Sequence, residues 1–197
     1  MPIFAYLFPL LGYLCGSIPI AYIYGKMHGI DIRKHGSGNV GATNALRTLG
    51  RKAGIVVLAL DVAKVLVVLL LGQFLHLDRN ILLLTGGAAF IGHNWSIFLH
   101  FKGGKGVAVS AGILFYFFPL PGMVSISLFI LIVAVTKYVS LGSLLAAGIT
   151  PLMLALFGYP DLEIAFAGVI AAIIIWAHRE NIARLRYGRE SKISLGR

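Results

Sequence analysis

The run "IVVLALDVAKVLVVLLLG", residues 55–72, decides the fold. Its 18 residues carry two charges, Asp61 and Lys64, in an otherwise apolar stretch. At about 1.5 Å of rise per residue such a run is close to the length needed to cross a hydrocarbon core of about 30 Å. A membrane strand would alternate apolar and polar residues, and this run does not. It reads as a transmembrane helix. Similar runs occupy roughly 3–24, 81–99, 107–118, 123–136, 141–157 and 163–177. They are separated by glycine, proline or charge, as in "PLPG" at 119–122 and "GYPD" at 158–161. The composition agrees: 58% of the 197 residues are hydrophobic, with a mean hydropathy of +0.89. The expectation is an all-α, polytopic integral membrane bundle of about seven helices, forming a single domain over residues 1–197. The fourth run is short for a span. It either extends through the preceding glycines or pairs with the fifth run as a re-entrant hairpin.

Charge orients the chain. With the N-terminus outside, the inside loops are 25–54, 100–106, 137–140 and 178–197, and they hold 15 of the 17 Lys and Arg residues. Arg79 falls outside and Lys64 within a span. Cytoplasmic loops of membrane proteins carry this excess, so the C-terminus is expected in the cytoplasm. The basic face would also attract anionic lipid. Residues 1–25 contain no Lys or Arg, so the basic start of a signal peptide is missing and the first run is expected to be a retained span. The single cysteine, Cys15, allows no disulfide framework within one chain.

Three loops hold the chemistry. The first, "HGSGNVGATNALRTLGRK" (35–52), matches G-x-G-x-x-G at 36–41, but a membrane span precedes it where a dinucleotide site needs a strand. Gly36, Gly38 and Gly41 admit close approach of a ligand to the backbone. Ser37, Asn39, Thr43 and Asn44 supply neutral polar groups, and Arg47 a planar fork suited to phosphate. From residue 41 a helical turn is expected to end at Gly50, with Thr43 and Arg47 on one face and Asn44 beside them. In the second loop, "GHNWSIFLHFKGGKGVAVS" (92–110), flexible glycines are expected to expose N–H groups ahead of a helix start, with Lys105 adding charge. The third, "HRENIARLRYGRE" (178–190), follows the last run. His178, Asn181 and Arg184 can share a helical stripe, with Glu180 adjacent. Two further groups are notable. Asp61 and Lys64 can pair at i,i+3 within the membrane. Ser143, in "KYVSLGSLLAAG", stands at the start of the sixth run.

Several chemistries fit poorly. The seven acids, Asp31, Asp61, Asp78, Asp161, Glu163, Glu180 and Glu190, show no metal-ligand spacing, and H-E-x-x-H is absent. No histidine is followed by Asp five residues on, and G-x-S-x-G is absent. No metal, cofactor or nucleic-acid partner is expected. The loops look built to bind phosphate at a membrane surface.

"SGNVGATNALRTLG", "GHNWSIFLHFKGGKGVA" and "HRENIARLRYGRE", in this order between short spans, resemble the three motifs of the bacterial acyl-phosphate:glycerol-3-phosphate acyltransferase family (PlsY). The resemblance runs the length of the chain. It implies transfer of an acyl group from acyl phosphate to sn-glycerol 3-phosphate, giving lysophosphatidate and phosphate, on the cytoplasmic face of the bacterial inner membrane. It further implies that Ser37 and Arg47 are catalytic, with Asn39, Thr43 and Asn44 lining the site. Gly103, Gly104, Lys105 and Gly106 would hold phosphate, and His178, Glu180 and Asn181 would position glycerol phosphate. Ser143 can reach the same face. Direct attack, without a covalent acyl-enzyme, fits a donor that is already activated. The rival reading is a transporter of a phosphorylated solute, since broken, glycine-rich spans occur there too.

Overall fold

The computed structural model describes residues 3–193. Every regular element among them is helical. Each of the seven apolar runs is mostly helical. Length and composition qualify five segments to cross a membrane: Ala5–Met27, Arg51–Phe74, Arg79–Leu99, Pro119–Thr136 and Val139–Leu156. A sixth is reached if Asp161–Ala177 and Arg179–Arg186, bent by 58° at their junction, count as one. The fourth run becomes the 11-residue helix Val107–Phe117, about 17 Å long. It does not extend back through the glycines, because Gly106 takes φ +78° and breaks the helical path.

The described chain forms two compact units, residues 1–116 and 117–197. The first contains α1 (Phe8–Ser17), α2 (Ile20–Met27), α3 (Ala42–Leu49), α4 (Arg51–Phe74), α5 (Arg79–Asn94) and nearly all of α6 (Val107–Phe117). The second contains α7 (Pro119–Thr136), α8 (Val139–Leu156), α9 (Asp161–Ala177) and α10 (Arg179–Arg186).

The first run is not one continuous helix. Pro19 lacks an N–H and forces Ile18 out of helical geometry, to φ −57° and ψ 114°. The carbonyls freed at this break find partners elsewhere in the unit. Ser96 Oγ donates to Ser17 O at 2.5 Å, and Lys64 Nζ to Ile18 O at 2.9 Å. Helix α4 shows the inverted logic of a membrane protein. Asp61 and Lys64 face inward with Val65, Val68 and Leu69, while Val67, Leu70 and Phe74 face outward.

Helix α1 lies against α5 through glycine. A Cβ on Gly12 would overlap the Thr85 carbonyl, and one on Gly16 the Ala89 carbonyl. From the other side, Gly92 meets the carbonyl of Tyr13. Gly12 and Gly16 thus form a small-xxx-small face that lets two backbones touch, which replaces hydrophobic burial as the source of attraction in lipid. Gly16→Val should therefore push α1 off α5. Overpacking of this kind costs about 1–3 kcal/mol, so thermal unfolding in detergent should begin several degrees lower. Gly168→Ala, where nothing lies within 4 Å, should leave it unchanged or higher.

Candidate functional site

The first loop is built around one side chain. Asn44, 1% exposed, accepts from Ser37 N at 2.9 Å and donates to Ile32 O and His35 O, both at 3.1 Å. Its amide is thereby turned into the loop, which it holds closed. The expected glycine roles divide. Gly36 and Gly38 adopt φ +59° and +70°. A Cβ on Gly36 would also overlap Asn44 Oδ1, so the clasp requires glycine there. Gly41 instead has an ordinary extended φ of −154° and starts α3. Helix α3 ends at Gly50 (φ +88°), as the sequence suggested.

Two of the loop's cations serve the loop. Asp31 caps the turn Ile32–Lys34 and takes both Arg33 Nε and Nη2, at 2.9 and 2.8 Å. Lys26 stands 3.8 Å from the same carboxylate. Hydrogen bonding from Arg33 holds the Asp31 carboxyl well below the usual carboxylate range, against a desolvation that raises it. Ser37 is exposed, and Asn39, Thr43 and Arg47 are partly buried. The loop thus carries a hydroxyl at Ser37, an amide at Asn39 and, in the last turn of α3, the Arg47 guanidinium, groups suited to an anion.

Both loops of this unit rest on one apolar cluster. Ile32, Val40 and Ala45 pack with Ala21, Ala53, Val57 and Leu99. Leu99 belongs to the second loop, in the turn Ile97–Leu99. That loop then passes through His100 and Phe101, at φ +53° and +60°, and turns back on the end of α5. Here the structure corrects an expectation. Gly103 N donates to Asn94 O at 3.0 Å and Gly104 N to His93 O at 2.9 Å, so these N–H groups face the protein. A Cβ on Gly103 would overlap the His93 carbonyl, one on Gly104 the His93 ring, and one on Gly106 the Phe90 ring. The glycines are there for close packing rather than flexibility. The turn is fixed, and it delivers Lys105, partly buried, to the start of α6.

The second unit holds the third motif. His178 caps α10 and is buried. Its Nδ1 lies 2.8 Å from Ile174 O, and a carbonyl can only accept, so Nδ1 carries the proton and a neutral ring keeps its lone pair on Nε2. Asn181 and Arg184 share a face, as the stripe suggested. They meet at Glu190, which sequence reasoning passed over in favour of Glu180. Glu190 accepts from Asn181 Nδ2 at 2.7 Å, Ser140 Oγ at 2.9 Å and Arg184 Nε at 2.8 Å. Glu180 is the outer group: its side chain is 73% exposed and stands 3.8 Å from Arg184. Ser143 is buried and donates to Val139 O, at 2.9 Å, in its own helix. Only the return of the chain, with Ile193 N on Lys137 O, brings Glu190 to these partners. Nothing in the spacing marked it. Among the described residues no group of His, Cys, Asp and Glu could hold a metal ion.

Fold and loops together define a helical membrane protein with glycine-rich, cation-bearing loops. The family model described as glycerol-3-phosphate acyltransferase matches residues 6–188. The glycerol-3-phosphate acyltransferase of Trichlorobacter lovleyi is 48% identical over 181 residues, covering 91% of this chain and 93% of the relative. That of Geotalea daltonii is 44% identical over 179 residues, covering 91% and 92%. Two crystal structures of PlsY (YgiH), an integral membrane glycerol 3-phosphate acyltransferase, are each 40% identical. Its glycerol 3-phosphate form has a TM-score of 0.91 and covers 96% of both chains. Its lysophosphatidic acid form has a TM-score of 0.88 and covers 97% of this chain and 96% of that one. The chain belongs to the glycerol-3-phosphate acyltransferase family.

Two consequences follow from the geometry. Asn44→Ala would strand the Ser37 N–H and two carbonyls. A buried group left unpaired costs about 1–3 kcal/mol, so the melting temperature should fall. Burial raises the Glu190 carboxyl, but hydrogen bonds from Arg184, Asn181 and Ser140 and the Arg184 charge outweigh it and hold the group below its ordinary 4.5. A depressed folded pKa stabilises above the unfolded value and is lost on acidification. Protection of the Ile193 amide relative to its intrinsic exchange rate should thus fall as pH drops below about 4.5. Glu190→Gln should exchange fast at neutral pH and lose that dependence.

Proposed function

We propose that this chain transfers the acyl group of an acyl phosphate to the 1-hydroxyl of sn-glycerol 3-phosphate, giving lysophosphatidate and inorganic phosphate. One observation carries the reading. The two similar PlsY structures are described in a glycerol 3-phosphate form and a lysophosphatidic acid form. Those two molecules differ by one acyl ester, so they stand as acceptor and product of one transfer. The phosphate-suited setting of the first loop supports it, as does the delivery of Lys105 by a rigid turn.

The donor proposed is acyl phosphate, for a physical reason. Phosphate is a good leaving group, so a bound hydroxyl can attack the acyl carbon directly. The new bond is from the glycerol oxygen to the carbonyl carbon, and the bond from that carbon to the phosphate oxygen breaks. Orientation of two bound substrates supplies much of the barrier reduction. In this reading Lys105 and Arg47 stabilise charge moving onto the leaving phosphate. Ser37, Asn39 and Thr43 contact substrate, while Asn44 acts by shaping the loop. The glycines at 103, 104 and 106 act by placing Lys105. His178 and Asn181 position glycerol phosphate, with Glu180 and Ser143 at the edges of that group. The hydroxyl proton goes to His178 Nε2 or to a phosphate oxygen of the substrate. The site faces the cytoplasm at the inner membrane, where the basic loops also meet anionic lipid.

Purified protein in detergent, given glycerol 3-phosphate with palmitoyl phosphate or palmitoyl-CoA, should form lysophosphatidate and phosphate from the phosphate donor alone. Lys105→Ala and Arg47→Ala should lower that rate at least a hundredfold, in line with loss of charge stabilisation of about 3 kcal/mol. Product from palmitoyl-CoA alone would overturn the choice of donor. Near-normal turnover in His178→Gln would assign the proton to the substrate phosphate.

A further inference from the structure

Asp61, Lys64 and His93 are buried, titratable and unused in the chemistry above. Lys64 Nζ sits at their centre. It forms an ion pair with Asp61 Oδ1 at 2.8 Å, lies 2.9 Å from His93 Nδ1, and donates to Ile18 O at 2.9 Å. A protonated Lys64 can only donate, so His93 Nδ1 accepts and the ring proton rests on Nε2. The Nε2 edge faces Gly104, where an added Cβ would overlap it. The carbonyl of the same histidine accepts Gly104 N–H at 2.9 Å. His93 therefore grips Gly104 twice, by ring and by backbone, and Lys105 is the next residue.

We propose that Asp61, Lys64 and His93 are positioning residues for the 103–106 turn, fixing where it places Lys105. The inference rests on the reading that this turn serves a substrate phosphate. A buried ion pair is poor as a source of stability, because desolvation offsets its attraction. Its asset is direction. One ammonium sets three things at once: the carbonyl at the α1 break, the side chain of Asp61 on α4, and the ring of His93 on α5. Asp61 balances the Lys64 charge, so the cluster orients the turn rather than drawing the anion to it. Apolar residues of the same volume would fill the space but leave His93 Nδ1 without the donor that orients the ring.

The test uses the full-length enzyme in detergent, with palmitoyl phosphate and glycerol 3-phosphate varied in turn. Lys105→Arg moves the charge without removing it and shows which substrate's KM the turn governs. Lys64→Met and His93→Phe should raise that same KM about tenfold or more and lower kcat as well, with the other KM within about twofold. Displacing a charge that both binds a phosphate and stabilises the leaving group gives this pattern. The double variant Asp61→Leu/Lys64→Met removes both buried charges and should regain thermal stability, yet keep the raised KM. Recovery of KM together with stability in the double variant would overturn the proposal, as would unaltered KM values in folded His93→Phe. If Lys105→Arg itself shifted neither KM, the phosphate reading of the turn would fail, and this inference with it.

Discussion

A backbone inside a membrane has no water to turn to, so each N–H and C=O must find a partner within the protein. Continuous helix meets that demand along most of this chain. The informative places are those where the helix stops. At Pro19 the carbonyls of Ser17 and Ile18 are taken by Ser96 and Lys64. Between α2 and α3 the amide of Asn44 closes the loop on three backbone groups. After α10 the carboxylate of Glu190 gathers a hydroxyl, an amide and a guanidinium. At Pro19 the repair uses side chains 46 and 79 residues away, at Asn44 one from the next helix, and Glu190 joins the chain after α10 to α8 and α10, so each also ties elements together.

Close approach is the second theme. Glycine appears in this protein wherever two backbones, or a backbone and a ring, must touch. Gly12, Gly16 and Gly92 bring α1 and α5 together, and Gly103, Gly104 and Gly106 seat the second loop on the end of α5. The result is a loop that looks flexible by composition and is rigid by packing. For the proposed site, which would hold two phosphorylated substrates in register, rigidity is the useful property. The proposed chemistry asks for placed charge more than for a strong nucleophile.

Much of this was legible in the residues. Apolar runs with few charges must form helix in lipid, and the three polar segments between them stood out by contrast. Helix α3 and its stop at Gly50 followed from local rules. What misled was equally local. A glycine run reads as exposed N–H groups until His93 O and Asn94 O are seen to occupy two of them. Glu180 drew notice beside His178, whereas Glu190 makes the bonds, because its partners come from two separate helices, Ser140 on α8 and Asn181 and Arg184 on α10.

By itself the sequence determined the membrane class, the helical content, the location of the three motifs and, through their resemblance, the family. These depend on composition and short spacing, which a linear reading can sum. Tertiary structure decided which polar groups stay open and which face the protein. It split the first run at Pro19, turned Asn44 inward, and set Lys64 between Asp61 and His93, the latter 29 residues away along the chain. Such pairings depend on how helices lie against one another, and the order of residues along a single helix does not encode that.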